Sequence, residues 1–171
     1  TTLSILKWEG YEGLSLGKAE HTGTLNISGG TLNVDNNRIV SGEVLFNMKS
    51  IVVTDIPAAS SKNGKLTNNL LGNNFFDTDK YPQTKFVITG IEPKDADSIN
   101  ISGNLILKGI AKNISFTSAL QISDTVVTAV SPKFYINRKD WGMHYRSENS
   151  LGDELIRPEI GISFNLTARR G

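Results

Sequence analysis

Asn73-Asn74-Phe75-Phe76-Asp77-Thr78-Asp79-Lys80-Tyr81-Pro82-Gln83-Thr84-Lys85-Phe86 holds more structural information than any other stretch of this chain. Just before it, Leu66, Leu70 and Leu71 stand at helical spacing, and Gly72 is placed to stop the helix. The spacing predicts a short amphipathic helix from about Asn63 to Leu71. An extended segment is expected next. Phe75 and Phe76 are adjacent aromatics that lose free energy in water, Tyr81 precedes a proline that disfavours helical backbone, and Lys85-Phe86-Val87-Ile88 starts a strand. The stretch therefore reads as a helix-to-strand plug packed against a sheet.

Outside that plug the chain alternates between apolar and polar residues. Leu25 and Ile27, Leu32 and Val34, and then Val44, Phe46 and Met48 lie two apart, as expected where one sheet face is dry and the other wet. Gly29-Gly30 and Asp35-Asn36-Asn37 are read as the turns joining these early strands into a meander. The same period continues through Phe86 and Ile88, through Ile99, Ile101, Leu105 and Leu107, and through Ile114, Phe116, Leu120 and Ile122. Val126, Thr128 and Val130 follow, then Ile160, Ile162, Phe164 and Leu166. About eight or nine such strands predict an all-β, up-and-down antiparallel barrel with one helical insertion. No internal repeat or linker divides it, so residues 1–171 are expected to form one domain.

Composition narrows the function classes. Eighteen basic and 17 acidic residues leave a net charge of +1, which gives no field for nucleic acid and no electrostatic anchor for a membrane. With no cysteine there are no disulfides and no thiolate ligands. No apolar run approaches the roughly 20 residues that cross a bilayer as a helix, so an integral membrane protein is not expected.

Four segments, taken in order, resemble the YceI-like family of lipocalin-like β-barrels. The first is His21-Thr22-Gly23, and the second is the Phe75-Phe76-Asp77, Lys80-Tyr81-Pro82 and Phe86 pattern between helix and strand. Ile101 to Lys112 is similar to the family's G-x-L-x-x-x-G-x-x-K strand and turn, and Tyr135 to Met143 to its I-x-R-x-x-[FW]-G segment. The resemblance implies a periplasmic or secreted protein, of a kind made with a signal peptide, and whether one was removed stays open. It also implies an isoprenoid, isoprenoid quinone or other amphiphilic lipid held in the barrel, with no cofactor. A homodimer stays open.

A barrel of about eight strands is filled by side chains or holds one small ligand, so the inner face decides the matter. The candidate ligand-lining residues are Leu25, Ile27, Val44, Phe46, Met48, Phe86, Ile88, Leu105, Leu107, Phe116, Leu120, Phe134, Ile136 and Phe164. Each also reads as ordinary core. Gly23, Gly90, Gly103, Gly109 and Ser118 are in phase with inward neighbours, so they either mark bends or leave an apolar slot between the phenylalanines. A chain-like guest suits such a slot, because each buried methylene contributes about 0.8 kcal/mol before ordering costs.

His21 and Arg138 are the candidate head-group contacts, since imidazole and guanidinium both bind oxygen. Their structural alternatives are a strand-end histidine held by a neighbour and an ion pair of Arg138 with Asp140 or Glu154. Trp141 is expected to pack over the end of the sheet. Catalytic motifs are missing: there is no His-Glu-x-x-His and no Gly-x-Ser-x-Gly, and Asp77/Asp79 and Asp95/Asp97 lack the glycine and distal glutamate of a calcium loop. No metal site and no enzyme are expected. The sequons at Asn26, Asn100, Asn113 and Asn165 fall inside predicted strands and read as polar alternation. Two readings remain foremost: a non-catalytic lipid carrier, or a structural or interaction barrel with a filled core that works through loops such as Asp55 to Asn63 and Arg146 to Asp153.

Overall fold

A computed structural model of the chain describes residues 4–13, 19–147 and 156–169. In chain order it contains β1 (Ile5–Glu12), β2 (His21–Asp35), β3 (Arg38–Val53), α1 (Ser61–Leu71), β4 (Gln83–Pro93) and β5 (Ser98–Leu107). There follow β6 (Ile110–Ile122), β7 (Val126–Val130), β8 (Phe134–Asn137), a 3₁₀ turn over Arg138–Trp141, and β9 (Ile156–Arg169). Every strand pairs antiparallel with its neighbour in sequence up to β7. The sheet closes because β1 has two partners. Leu6 lies opposite Leu25 of β2 and Phe164 of β9, and Trp8 lies opposite Gly23 and Ile162.

The far edge of β9 is shared. Its first half pairs with β8, setting Ile160 against Ile136, and its second half pairs with β7, setting Leu166 against Ala129. Between the two, Pro132 cannot donate to a ladder, and Ser131 bridges the break by donating its N–H to the Phe164 carbonyl and accepting the Phe164 N–H on Oγ. Nine strands thus make a closed barrel of eight positions.

Two hairpins turn on left-handed pairs, Asn36-Asn37 between β2 and β3 and Lys108-Gly109 between β5 and β6, all four residues having positive φ. That conformation matches the twist of the flanking strands. Gly29-Gly30 does not turn the chain. Leu25 to Val34 is one strand, and the glycine pair lies at a register shift where β2 bends against Leu45 and Val44 of β3. A side chain at Gly30 would run into the Glu43 carbonyl, so the pair is spent on a bulge that curves the wall and helps close it. On β7 the inward phase belongs to the buried Val127 and Ala129, while Val130 is exposed.

The helix starts two residues before the expected boundary, where the Ser60 side chain caps the Lys62 N–H, and it stops at Gly72. The following segment is turn-rich and not extended. The N–H groups of Phe76 and Thr78 return to the carbonyls of Leu70 and Leu71, satisfying the end of the helix and pinning Phe75 inward. β4 begins only after Pro82.

Candidate functional site

Among the described residues, the barrel interior shows two apolar chambers. The outer one lies beneath α1, at the end where β2 and β4 begin, and has a volume of about 140 Å³. Leu66 and Leu70 of α1, the plug residues Phe75 and Phe76, and Leu25, Met48, Ile51, Leu107 and Ile136 from the strands contribute to its wall. The inner chamber, of about 80 Å³, is lined by strand residues alone, among them Ile27, Val44, Phe86, Ile88, Phe116, Phe134 and Phe164. Leu6, Phe46, Leu105 and Ile162 border both chambers and form a waist between them.

Thirteen of the fourteen candidate liners therefore face one chamber or both, and Leu120 faces neither. Leu6, Trp8 and Ile162 were not among them, although their period of two along β1 and β9 carried the signal. Thr84 was also passed over. It is a polar residue in phase with Phe86 and Ile88, and it lines the outer chamber.

The glycines do not create the space. The Trp8 ring lies against Gly23 and the Phe86 ring against Gly103, so closely that a methyl group at either would collide with ring and backbone. Gly90 is exposed at a register shift in β4, and Gly109 belongs to a hairpin turn beneath Tyr81. Ser118 is fully buried, and its hydroxyl is bonded to the Ala119 carbonyl. Glycine is used here to let an aromatic ring lie flat on the wall. Inside the inner chamber Phe116 is the hub of an aromatic cluster. It stacks on Phe134 with ring centroids 4.5 Å apart, meets Phe164 edge-on at 5.5 Å, and tilts against Phe86 at 5.5 Å.

The rim of the outer chamber is polar. His21 Nδ1 lies 2.9 Å from Asp55 Oδ2, and the Thr22 N–H donates to the other carboxylate oxygen. Partial burial raises the Asp55 pKa, but the His21 and Thr22 donors outweigh it, and the carboxyl is held below its usual value. This contact ties the start of β2 to the segment that leads into α1. Arg157 reaches Glu159 with two nitrogens, at 3.0 and 2.8 Å, and Glu12 and Asn69 complete the rim. Along β1, Glu9 accepts from Lys133 at 2.8 Å and from the Tyr11 hydroxyl at 2.6 Å, and these bonds hold its carboxyl below the ordinary range. Burial, with Glu9 beside it, pushes the Tyr11 phenol upward.

Arg138 is placed to serve backbone carbonyls. Its side chain borders the outer chamber but is 1% exposed, and it donates to the carbonyls of Arg157, Met143, Tyr145 and Ile156, the last three at 2.7 to 2.8 Å. Its guanidinium lies 5.3 Å from the centre of the Phe75 ring. The residue is thus a staple joining the segment after the 3₁₀ turn to β9, and burial lowers its pKa. Asp140 is exposed, and an ion pair between it and Arg138 is not among those of the described residues; Glu154 lies outside the described residues. Trp141 is buried over the sheet end and donates its indole N–H to the Leu105 carbonyl at 3.0 Å. Among the described residues there is no cluster of three or more His, Asp or Glu that could hold a metal ion, and no helix long and apolar enough to cross a membrane.

A closed antiparallel barrel with a helix over one end and an apolar interior defines the class of lipocalin-like binding folds. The YceI-like domain model matches residues 8–168, so the chain belongs to that family. Among solved structures, Burkholderia cenocepacia BcnA superposes with a TM-score of 0.73 at 18% identity, over 96% of each chain. A Campylobacter jejuni YceI protein does so with a TM-score of 0.64 at 17% identity, over 94% of this chain and 90% of its own. At those identities the likeness is one of fold. No curated protein matches the sequence.

Proposed function

We propose that this protein is a non-catalytic carrier which holds the tail of an isoprenoid, isoprenoid quinone or other amphiphilic lipid inside the barrel, with the head at the rim near His21. A location outside the cytoplasm is part of the reading and rests on the family. The observation that carries it is the outer chamber. An almost wholly apolar space of about 140 Å³ lies beneath a helix that has no buried residue, beside a rim of polar groups. An empty apolar cavity of about that size accepts a guest such as benzene, and a packed core is costly to leave hollow. Four of the five N–H donors of Arg138 go to backbone carbonyls, so its main part in this reading is to shape the wall.

The space also limits the guest. The outer chamber takes a segment of about six carbons, by comparison with benzene in a cavity of that size. A longer tail has to pass the waist, which requires Leu6, Phe46, Leu105 and Ile162 to turn aside. The test is to express the protein in a bacterial host, extract it with organic solvent and weigh the extract by mass spectrometry. A lipid recovered in about equal amount to the protein supports the carrier reading. Extracts that stay empty, together with no uptake of added lipids, overturn it in favour of a filled barrel that acts through its outer surface.

A further inference from the structure

His21 opens β2 in phase with Gly23 and Leu25, and it stands at the rim of the outer chamber. Opposite it on β1 is Gly10, which has no side chain to fill the space beside the ring. Only one of its ring nitrogens is used. Nδ1 lies 2.9 Å from Asp55 Oδ2, whereas Nε2 has no hydrogen-bond partner among the described residues and is not enclosed, so a molecule at the rim can reach it. The Asp55 side decides which nitrogen holds the proton. Backbone contacts fix the geometry there, since the Thr54 N–H and hydroxyl both donate to the Thr22 carbonyl, at 2.9 and 3.2 Å, and bring Asp55 alongside the start of β2. Asp55 Oδ1 accepts the Thr22 N–H at 2.9 Å, and Oδ2 meets His21. With its carboxyl held below the usual value, Asp55 is ionised at neutral pH and both oxygens only accept. Nδ1 must then be the donor. In an uncharged imidazole a proton on Nδ1 leaves Nε2 as a bare acceptor.

We propose that the Asp55–His21 pair selects the head group: the guest is an amphiphile whose O–H or N–H donates a hydrogen bond to His21 Nε2. This rests on the carrier reading and deepens it, because the apolar chambers alone admit any oily tail. His21 makes the contact, and Asp55 is a positioning residue that fixes the ring proton. Ketone, ether and ester heads bring oxygens that only accept, and at Nε2 they meet another acceptor. A carboxylate or phosphate fares worse, since the Asp55 charge stands beside the ring. Among isoprenoid ligands the arrangement favours prenyl alcohols and reduced quinols over oxidised quinones. One ring proton thus separates two redox states of the same molecule.

The probes are octan-1-ol, its methyl ether and octane, which share a tail and differ in the O–H and the oxygen. Affinities are read by displacement of an environment-sensitive dye at about pH 8.5, above the range in which histidines ordinarily titrate. The alcohol-to-ether affinity ratio is expected to fall about three- to tenfold in His21→Phe, the range of one net hydrogen bond, while the octane affinity holds. His21→Gln, whose amide oxygen accepts, should recover part of the ratio. Asp55→Asn lets the ring proton move to Nε2, so the ratio should fall there too although the contact residue is intact. A merely structural tie would lower all three affinities together. Nitrogen NMR answers without touching the pair: the chain has two histidines, and in His144→Gln the remaining ring should show a protonated Nδ1 and a bare Nε2. The Nε2 signal should move on adding the alcohol and not the ether. A proton found on Nε2, or a ratio unchanged in both His21→Phe and Asp55→Asn, overturns the assignment while leaving the carrier reading standing. Failure of the wild type to bind all three probes overturns both.

Discussion

The two chambers differ in what builds them. The inner one is walled by strands alone, and its phenylalanines touch one another, so its shape is fixed by the same contacts that hold the barrel together. The outer one borrows part of its wall from α1, from the plug at Phe75 and Phe76, and from Arg138 itself. Those parts of its wall belong to no strand ladder. On the carrier reading, guest exchange would use the outer chamber, and the inner chamber would act as core with a small residual void.

Arg138→Met would test that division most severely. It leaves the carbonyls of Met143, Tyr145, Ile156 and Arg157 without their donor, and a loss on the order of 3 to 5 kcal/mol is expected in urea denaturation. A loss below about 1 kcal/mol would mean that the outer wall does not depend on the staple. Phe116→Ala should cost about 3 kcal/mol while changing guest affinity less than Leu70→Ala does. Leu70→Ala, on the lid side, should cost under about 2 kcal/mol yet weaken binding more strongly. The reverse ranking, measured by denaturation and dye displacement together, would make the inner chamber the principal site.

Smaller effects sharpen the picture. Gly103→Ala forces the Phe86 ring away from the wall, and a loss of about 1 to 3 kcal/mol in thermal unfolding is expected from overpacking. Because the folded-state pKa of Asp55 is depressed, its contribution is fully present above the unfolded value, near about 4, and is lost as the pH falls through the lower folded value. An acid titration of stability should show that loss in the wild type and not in Asp55→Asn. Lys133→Ala should shift stability by less than about 1 kcal/mol, because its pair with Glu9 lies at the surface.

Period-two alternation was sufficient to mark the strands and most of the chamber walls, since it reports which side chains share a face. It says nothing of how far apart facing walls stand. Gly23 and Gly103 suggested room, and only the coordinates place Trp8 and Phe86 in it. Gly29-Gly30 looked like a turn because two glycines serve a bulge as well as a reversal, and the choice depends on the pairing with β3. Val127 and Ala129 took the inward phase on β7 because the ladder with β9 sets it. The part played by Arg138 was hidden for a similar reason: its four partners are backbone carbonyls, which no residue pattern announces. Thr84 could have been flagged in advance, as a polar side chain at an inward phase.

The lid helix is joined to its neighbours by side-chain contacts and a few capping bonds, and it contributes no rung to any strand ladder. Lifting it would uncover the oily interior while the cylinder stays sealed all the way round. If the barrel carries cargo, it could change hands without baring a strand edge to other chains, which would spare the protein the aggregation hazard that accompanies opening a sheet.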